Sequence, residues 1–304
     1  MRPICSATRR RRSRPGPTSR WSCICSVCRC RNGKRKASPN VSIHPTAIVD
    51  PAARIEDDVE IGPCCVIDAN VRIASGCRLL HHVFVTGWTT IERECVLHPG
   101  VIVGHEPQDL KYDGSRSYCR VGERTILREY VTIHRGTEPE SETVVGRECF
   151  LLAGAHVAHN CNVGDGVTLI NNVLLAGHVT IGKGATLGGG AVVHQFVRIG
   201  EGVMVPGNAR VPKDLVPFAL ADVEGRIAGL NRLGMRRSGM SREDLVALRD
   251  AYRIVFTAGL KPAEAADKLA DHPNPHCRIL ATFLKETSRR GLAGRARSPR
   301  AVTG

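Results

Sequence analysis

Aromatic side chains make up only 4% of the 304 residues, and no stretch approaches the roughly 18 uninterrupted apolar residues of a membrane-crossing helix. The first shortage argues against a core built on one bulky aromatic cluster, and the second against a membrane span. Acidic residues are missing altogether from residues 1–40, which hold 12 Lys or Arg. All but two of the net +14 charges therefore sit in that leader, so the remaining chain carries no excess suited to nucleic acid. The leader also lacks the apolar run of a secretory signal. Its Arg- and Ser-rich, acid-free composition fits an organelle transit peptide; the other reading is that translation starts at Val41. Either reading places residues 1–40 outside the fold.

Five of the 13 cysteines belong to the leader, where Cys23, Cys25, Cys28 and Cys30 form a C-x-C-x-x-C-x-C cluster. With no fold around it, this spacing is assigned no metal. The other eight are read as scattered, unpaired thiols of a reducing compartment.

What the sequence has is glycine, 31 residues of it, and an aliphatic residue at every sixth position. The series runs Ile43, Val49, Ile55, Ile61, Ile67, Ile73 and onward to Val103, resumes at Val121, Leu127 and Ile133, and continues from Val145 to Val211. Neither helix nor hairpin has that period. Because the phase survives both gaps, residues 104–120 and 134–144 read as loops standing out from one continuous solenoid. Three hexads close one coil of a parallel β-helix, which predicts roughly nine coils over residues 41–211 and a prism on the order of 45 Å tall. Past Val211 helical signals take over, giving a helical domain over 212–290. A helix is expected within 225–239, a second after a capping box formed by Ser241 and Asp244, a third from Pro262 and a fourth after Pro275. The basic, Gly-rich tail over 291–304 is expected to fray from Arg289 onward.

A solenoid filled with aliphatic ladders has no internal pocket, so chemistry belongs on an outer face or between subunits. The stretch "GAHVAHNC" places His156 and His159 on either side of the inward Val157, off the main ladder. His178 and His194 follow about one and two coils later, and the four histidines gather along one edge. Such a cluster suits zinc held between subunits, as in β-helix carbonic anhydrases, with Cys161 as a further ligand. It equally suits a general base, since Asn160 can orient the neighbouring imidazole. Histidines that merely make hydrogen bonds on turns are the third reading.

The motifs "QDLKY" at 108–112, "TIHRGT" at 132–137, "HVAHNC" at 156–161, "AGHV" at 176–179, "VHQF" at 193–196 and the later "NRLGMRR" together resemble the UDP-N-acetylglucosamine acyltransferase family, which begins lipid A synthesis. The resemblance implies a left-handed β-helix with a small helical C-terminal domain, assembled as a cytoplasmic homotrimer with sites between subunits. A genuine transit peptide would move it to mitochondrion or plastid. It implies transfer of a 3-hydroxyacyl chain from acyl carrier protein to the 3-hydroxyl of UDP-N-acetylglucosamine, with neither metal nor cofactor. His159 matches the catalytic base and the Gly177 N–H the oxyanion donor. Asp109, Lys111, His156, His178 and Gln195 match substrate contacts; His134 and His194 are similarly placed. Asn231 and Arg237 match positions facing the nucleotide, and Gly207 the position limiting acyl length. Arg236, Arg237 and Arg242 form a basic rim suited to an acidic carrier protein.

Two residues depart from the family pattern. Asn160 stands where Asp is common, which removes an anion beside the imidazole, and Ser238 stands where a second Arg often accompanies Arg237. The N-acyltransferase of the same pathway has a separate N-terminal uridine-binding domain, for which repeats beginning by Ile43 leave no room. A zinc carbonic anhydrase would lack the helical tail, and a catalytically silent trimeric scaffold would keep the fold without turnover.

Overall fold

The computed structural model describes residues 41–296. The leader with its cysteine cluster, and the tail beyond Ala296, lie outside the described residues. From Ser42 to Val211 the chain forms strands of two to four residues, one per hexad, distributed over three parallel sheets. Within the regular region each strand pairs with the one 18 residues on: His156 with Leu174, Leu174 with Val192, Val192 with Arg210. The aliphatic residue of each hexad points inward, so Ile133, Val157, Leu175 and Val193 stack as one of three ladders, each at most 3% exposed. Fully burying one such side chain contributes about 1.5–3 kcal/mol, and the solenoid repeats that contribution coil after coil.

A second inward series precedes the first by two positions, at the corners. It is made of small residues, among them Val59, Val71, Ala155, Val167 and Ala185, all fully buried. Six of the eight folded cysteines occupy this phase: Cys65, Cys77, Cys95, Cys119, Cys149 and Cys161. They are therefore periodic rather than scattered, because a thiol has about the size a tight corner accepts.

The two loops are shorter than their expected bounds. Strands Ile102–His105 and Tyr118–Val121 bracket the first, and Thr132–His134 and Glu142–Val145 the second. Tyr118–Val121 pairs along its whole length with Trp88–Ile91 on one side and Glu142–Val145 on the other. Pairing satisfies backbone groups that a loop would have to leave to water.

After Val211 the strand Ala219–Ala221 joins the sheet of Met204–Val205 and turns back antiparallel to Ile227–Leu230. The helix expected within 225–239 is thus only α1, Arg232–Arg237, because edge pairing captures Ile227–Leu230 and Asn231 caps the helix by accepting from the Gly234 N–H. Helix α2 spans Arg242–Thr257 with the reciprocal Ser241–Asp244 capping box; α3, Pro262–Ala270, and α4, Pro275–Lys285, each open on proline. The tail is tied down as far as it is described. Asp214 bridges to Leu292 and Ile227 to Arg295, with Ala293 buried. Apolar Leu292 and Ala293 anchor what composition alone marks as frayed. Among the described residues no helix is long and apolar enough to cross a membrane.

Candidate active site at one corner of the solenoid

The site is assembled by the repeat itself. With a step of 18 residues, His159, Gly177 and Gln195 fall at one corner of three successive coils, and Asn160, His178 and Phe196 fall beside them. Backbone bonds lock the stack: the His178 N–H donates to His159 O, and the Phe196 N–H to Gly177 O. The second member of each pair has positive φ, 58° at Asn160, 60° at His178 and 65° at Phe196. The same left-handed turn recurs at corners along the solenoid, from Asp58 and Cys64 to Asn208 and Phe218, so it belongs to the repeat and does not by itself mark the site.

His159 is 4% exposed. Its Nδ1 lies 2.9 Å from Asn160 Oδ1, and the same oxygen accepts the Thr137 backbone N–H at 3.0 Å. A backbone N–H can only donate, so the amide atom it meets is the carbonyl oxygen, and the Asn160 orientation is settled. His159 Nδ1 must then carry the proton and donate it to Asn160. In the neutral ring this leaves the Nε2 lone pair free, and Nε2 lies 3.9 Å from Asp109 Oδ2. Asp109 is held by its own loop, its Oδ1 accepting the Lys111 N–H at 3.0 Å.

Gly177 packs directly on the imidazole. A Cβ there would stand 2.5 Å from His159 Cε1 and 2.6 Å from Nε2, so a side chain at this position would displace the ring. Among the described residues its N–H meets no backbone carbonyl, which leaves it available beside the ring.

The surrounding histidines are kept neutral. Burial, reinforced by nearby His156, His105, His159 and Arg135, pushes His134 down to about 4. Burial followed by the nearby His159 lowers His156, whose Nδ1 sits 2.7 Å from Thr132 Oγ1. His178 is lowered chiefly by burial, with Glu138 opposing. It meets His159 edge-on at 5.2 Å and stacks on Phe196 at 4.6 Å, and the Arg289 guanidinium covers Phe196 at 4.5 Å. A neutral surround avoids charge repulsion when His159 takes up a proton.

Two depressions meet at His159. A polar cleft of about 900 Å³ is lined by Asp109, Lys111, Glu138, His159, His178 and Gln195, among others. An adjoining groove of about 570 Å³ runs over the outer face of the coils past His156, Leu174, Ala176, Gly177 and Val192. The structure thus brings together Asp109, Lys111, His156, His159, Gly177, His178 and Gln195. His134 lies beneath the site, its ring 4.9 Å from His156. His194 is exposed and lines neither depression, its Nδ1 lying 3.2 Å from Gln195 O. Asn231 and Arg237 line neither within one chain; Asn231 caps α1 and donates to Gly202 O. Gly207 sits at another corner, where a Cβ would come 3.2 Å from Gly189 O. Cys161 turns inward, its thiol donating to Ala176 O, and so does not join the imidazoles. Among the described residues no group of three or more His, Cys, Asp or Glu is placed to hold a metal ion. Thr137, Gln108, Phe196 and Arg289 are singled out by no sequence signal of their own, although Thr137, Gln108 and Phe196 lie inside the motifs quoted above.

Comparison with known proteins agrees in one direction. Residues 214–293 match the family profile described as UDP N-acetylglucosamine O-acyltransferase, domain 2. The chain is 43% identical over 254 residues to the acyl-[acyl-carrier-protein]–UDP-N-acetylglucosamine O-acyltransferase of Thermodesulfovibrio yellowstonii, covering 82% of this chain and 98% of that one. To the protein of the same name from Caulobacter vibrioides it is 44% identical over 256 residues, covering 83% and 97%. Its fold superposes on the crystal structure of UDP-N-acetylglucosamine O-acyltransferase (LpxA) from Moraxella catarrhalis with a TM-score of 0.77 at 38% identity, covering 83% of this chain and 99% of that chain.

Proposed function

The chain belongs to the acyl-[acyl-carrier-protein]–UDP-N-acetylglucosamine O-acyltransferase family, with its left-handed β-helix, and from that premise we propose that it transfers a 3-hydroxyacyl chain from acyl carrier protein to the 3-hydroxyl of UDP-N-acetylglucosamine, with His159 as general base. The observation that carries the base is the double acceptance at Asn160 Oδ1, which fixes the His159 tautomer and leaves Nε2 able to take a proton.

The sugar lies in the polar cleft, its 3-hydroxyl against Nε2, with Asp109, Lys111, His178 and Gln195 around it. As Nε2 removes the proton, the alkoxide oxygen attacks the thioester carbon. The carbonyl oxygen gains the negative charge and receives the Gly177 N–H, an interaction whose loss costs ~3 kcal/mol in comparable sites. Collapse expels the thiolate of the carrier's arm, which recovers the proton from the imidazolium. Asn160 brings no charge to that imidazolium, but the Asp109 carboxylate, 3.9 Å from Nε2, supplies the anion that the substitution removes. The acyl chain runs along the groove over Leu174 and Val192 toward the corner that holds Gly207. Asn231, Arg237 and the basic rim reach nucleotide and carrier across a subunit boundary, so the active unit is an oligomer, which the family resemblance makes a homotrimer in the cytoplasm. The apolar residues left bare on one chain support this: Ile48 is 68% exposed, and Leu110, at the tip of the first loop, is fully exposed.

The test is direct. The chain is incubated with UDP-N-acetylglucosamine and a ladder of 3-hydroxyacyl carrier proteins, and the products are weighed and mapped. Acylation at the 3-oxygen is expected, falling by ~10²–10⁴ in kcat for His159→Ala. No product with any donor overturns the assignment.

A further inference from the structure

We propose that Arg135 is a positioning residue, a buried latch that holds the loop carrying Asp109 and Lys111 over His159. This rests on the function proposed above and concerns a residue to which that function assigns nothing.

Arg135 is 6% exposed, unusual for a guanidinium. Its two terminal nitrogens are partnered, whereas Nε is buried without a hydrogen-bond partner. One terminal nitrogen donates to Gly104 O at 2.9 Å, at the root of the loop. The other donates to the Tyr112 hydroxyl at 2.8 Å, and the guanidinium carbon lies 5.3 Å from the centre of that ring. Tyr112 in turn donates to Ser115 O at 3.0 Å, and its own N–H returns to Asp109 O at 3.0 Å. A single rigid fork therefore joins the start of the loop to its middle, three residues from the Asp109 carboxylate. The one acidic partner, Glu106 at 3.4 Å, has a side chain 63% exposed, so screening weakens it and the directional bonds carry the arrangement. Lysine, with a single ammonium on a flexible stem, cannot span Gly104 O and Tyr112 in this way. The fork begins from the second loop, whose Thr137 N–H fixes Asn160. Arg135 thereby sets the distance between the substrate loop and the base.

The test uses the full chain. Tyr112→Phe removes one hydroxyl at a half-buried position, and Arg135→Lys keeps the charge while breaking the fork. KM for UDP-N-acetylglucosamine is expected to rise on the order of tenfold in each, with KM for the acyl carrier protein and the melting temperature unchanged. The double variant is expected to be no worse than the poorer single one, since both remove the same link. Trypsin cleavage after Lys111, followed by mass spectrometry, is expected to quicken in both variants. That readout needs no turnover, so it tests the latch even if the chain proves to acylate a different sugar. Cleavage and sugar KM both within about twofold of wild type in Tyr112→Phe overturn the proposal, as do additive effects or an equal rise in both KM values.

Discussion

One amide oxygen decides what the imidazole can do. Asn160 Oδ1 takes the Thr137 N–H and the His159 Nδ1–H together, so Asn160→Leu removes both acceptances and frees the ring to turn. A fall of ~10²-fold in kcat is expected, with little change in KM for either substrate, read by steady-state kinetics. Gly177→Ala tests the other side of the ring. Its methyl would stand 2.5 Å from Cε1 and displace the imidazole, and kcat is expected to fall by a similar factor while the melting temperature holds. At this scale the sequence was informative where the repeat places residues one above another: His159, Gly177 and Gln195 share a corner because their spacing is one coil. Asp109 beside Nε2 was not legible as geometry, since an extruded loop has no period to count. Arg289 was hidden as well, in a tail whose basic, Gly-rich composition suggests fraying and not a site.

Among the elements, the ladders carry the stability and the loops carry the chemistry. Leu169 is fully buried in its ladder, and Leu169→Ala is expected to cost 2–5 kcal/mol, measured as a lower urea midpoint, with no repacking available between coils of fixed spacing. The histidine layer makes folding sensitive to acid. His134 is held down to about 4 in the fold against 6.5 in an ordinary setting, so between these values the unfolded chain binds more protons. Stability is fully present above 6.5 and declines as pH falls toward 4. His134→Gln is expected to flatten that decline, checked by urea unfolding at several pH values. The hexads were readable because a strand this short must repeat its inward residue. The stretch Ile227–Leu230 was misread as helix because its partner, Ala219–Ala221, is set by tertiary pairing and not by any local pattern.

For the molecule as a whole, one buried ion pair joins the solenoid to the helices. Arg198 meets the fully buried Asp214 at 2.8 Å, reaches Glu286 at 2.8 Å and donates to Phe283 O in α4. Arg198→Met strands the Asp214 carboxylate without its cation and is expected to destabilise by ~3–5 kcal/mol, seen in calorimetry as an earlier melting of the helical part. Sedimentation should return three times the chain mass, and dilution to monomer should abolish turnover, because Asn231 and Arg237 line neither depression of a single chain.

The corner cysteines reach further than packing. Burial pushes the Cys119 and Cys161 thiols up to about 12, so intact coils protect them from alkylation, while Cys64 faces solvent. Spread along the axis from Cys65 to Cys161, they are built-in depth markers. The order in which a thiol reagent reaches them under rising denaturant would record from which end the solenoid unwinds.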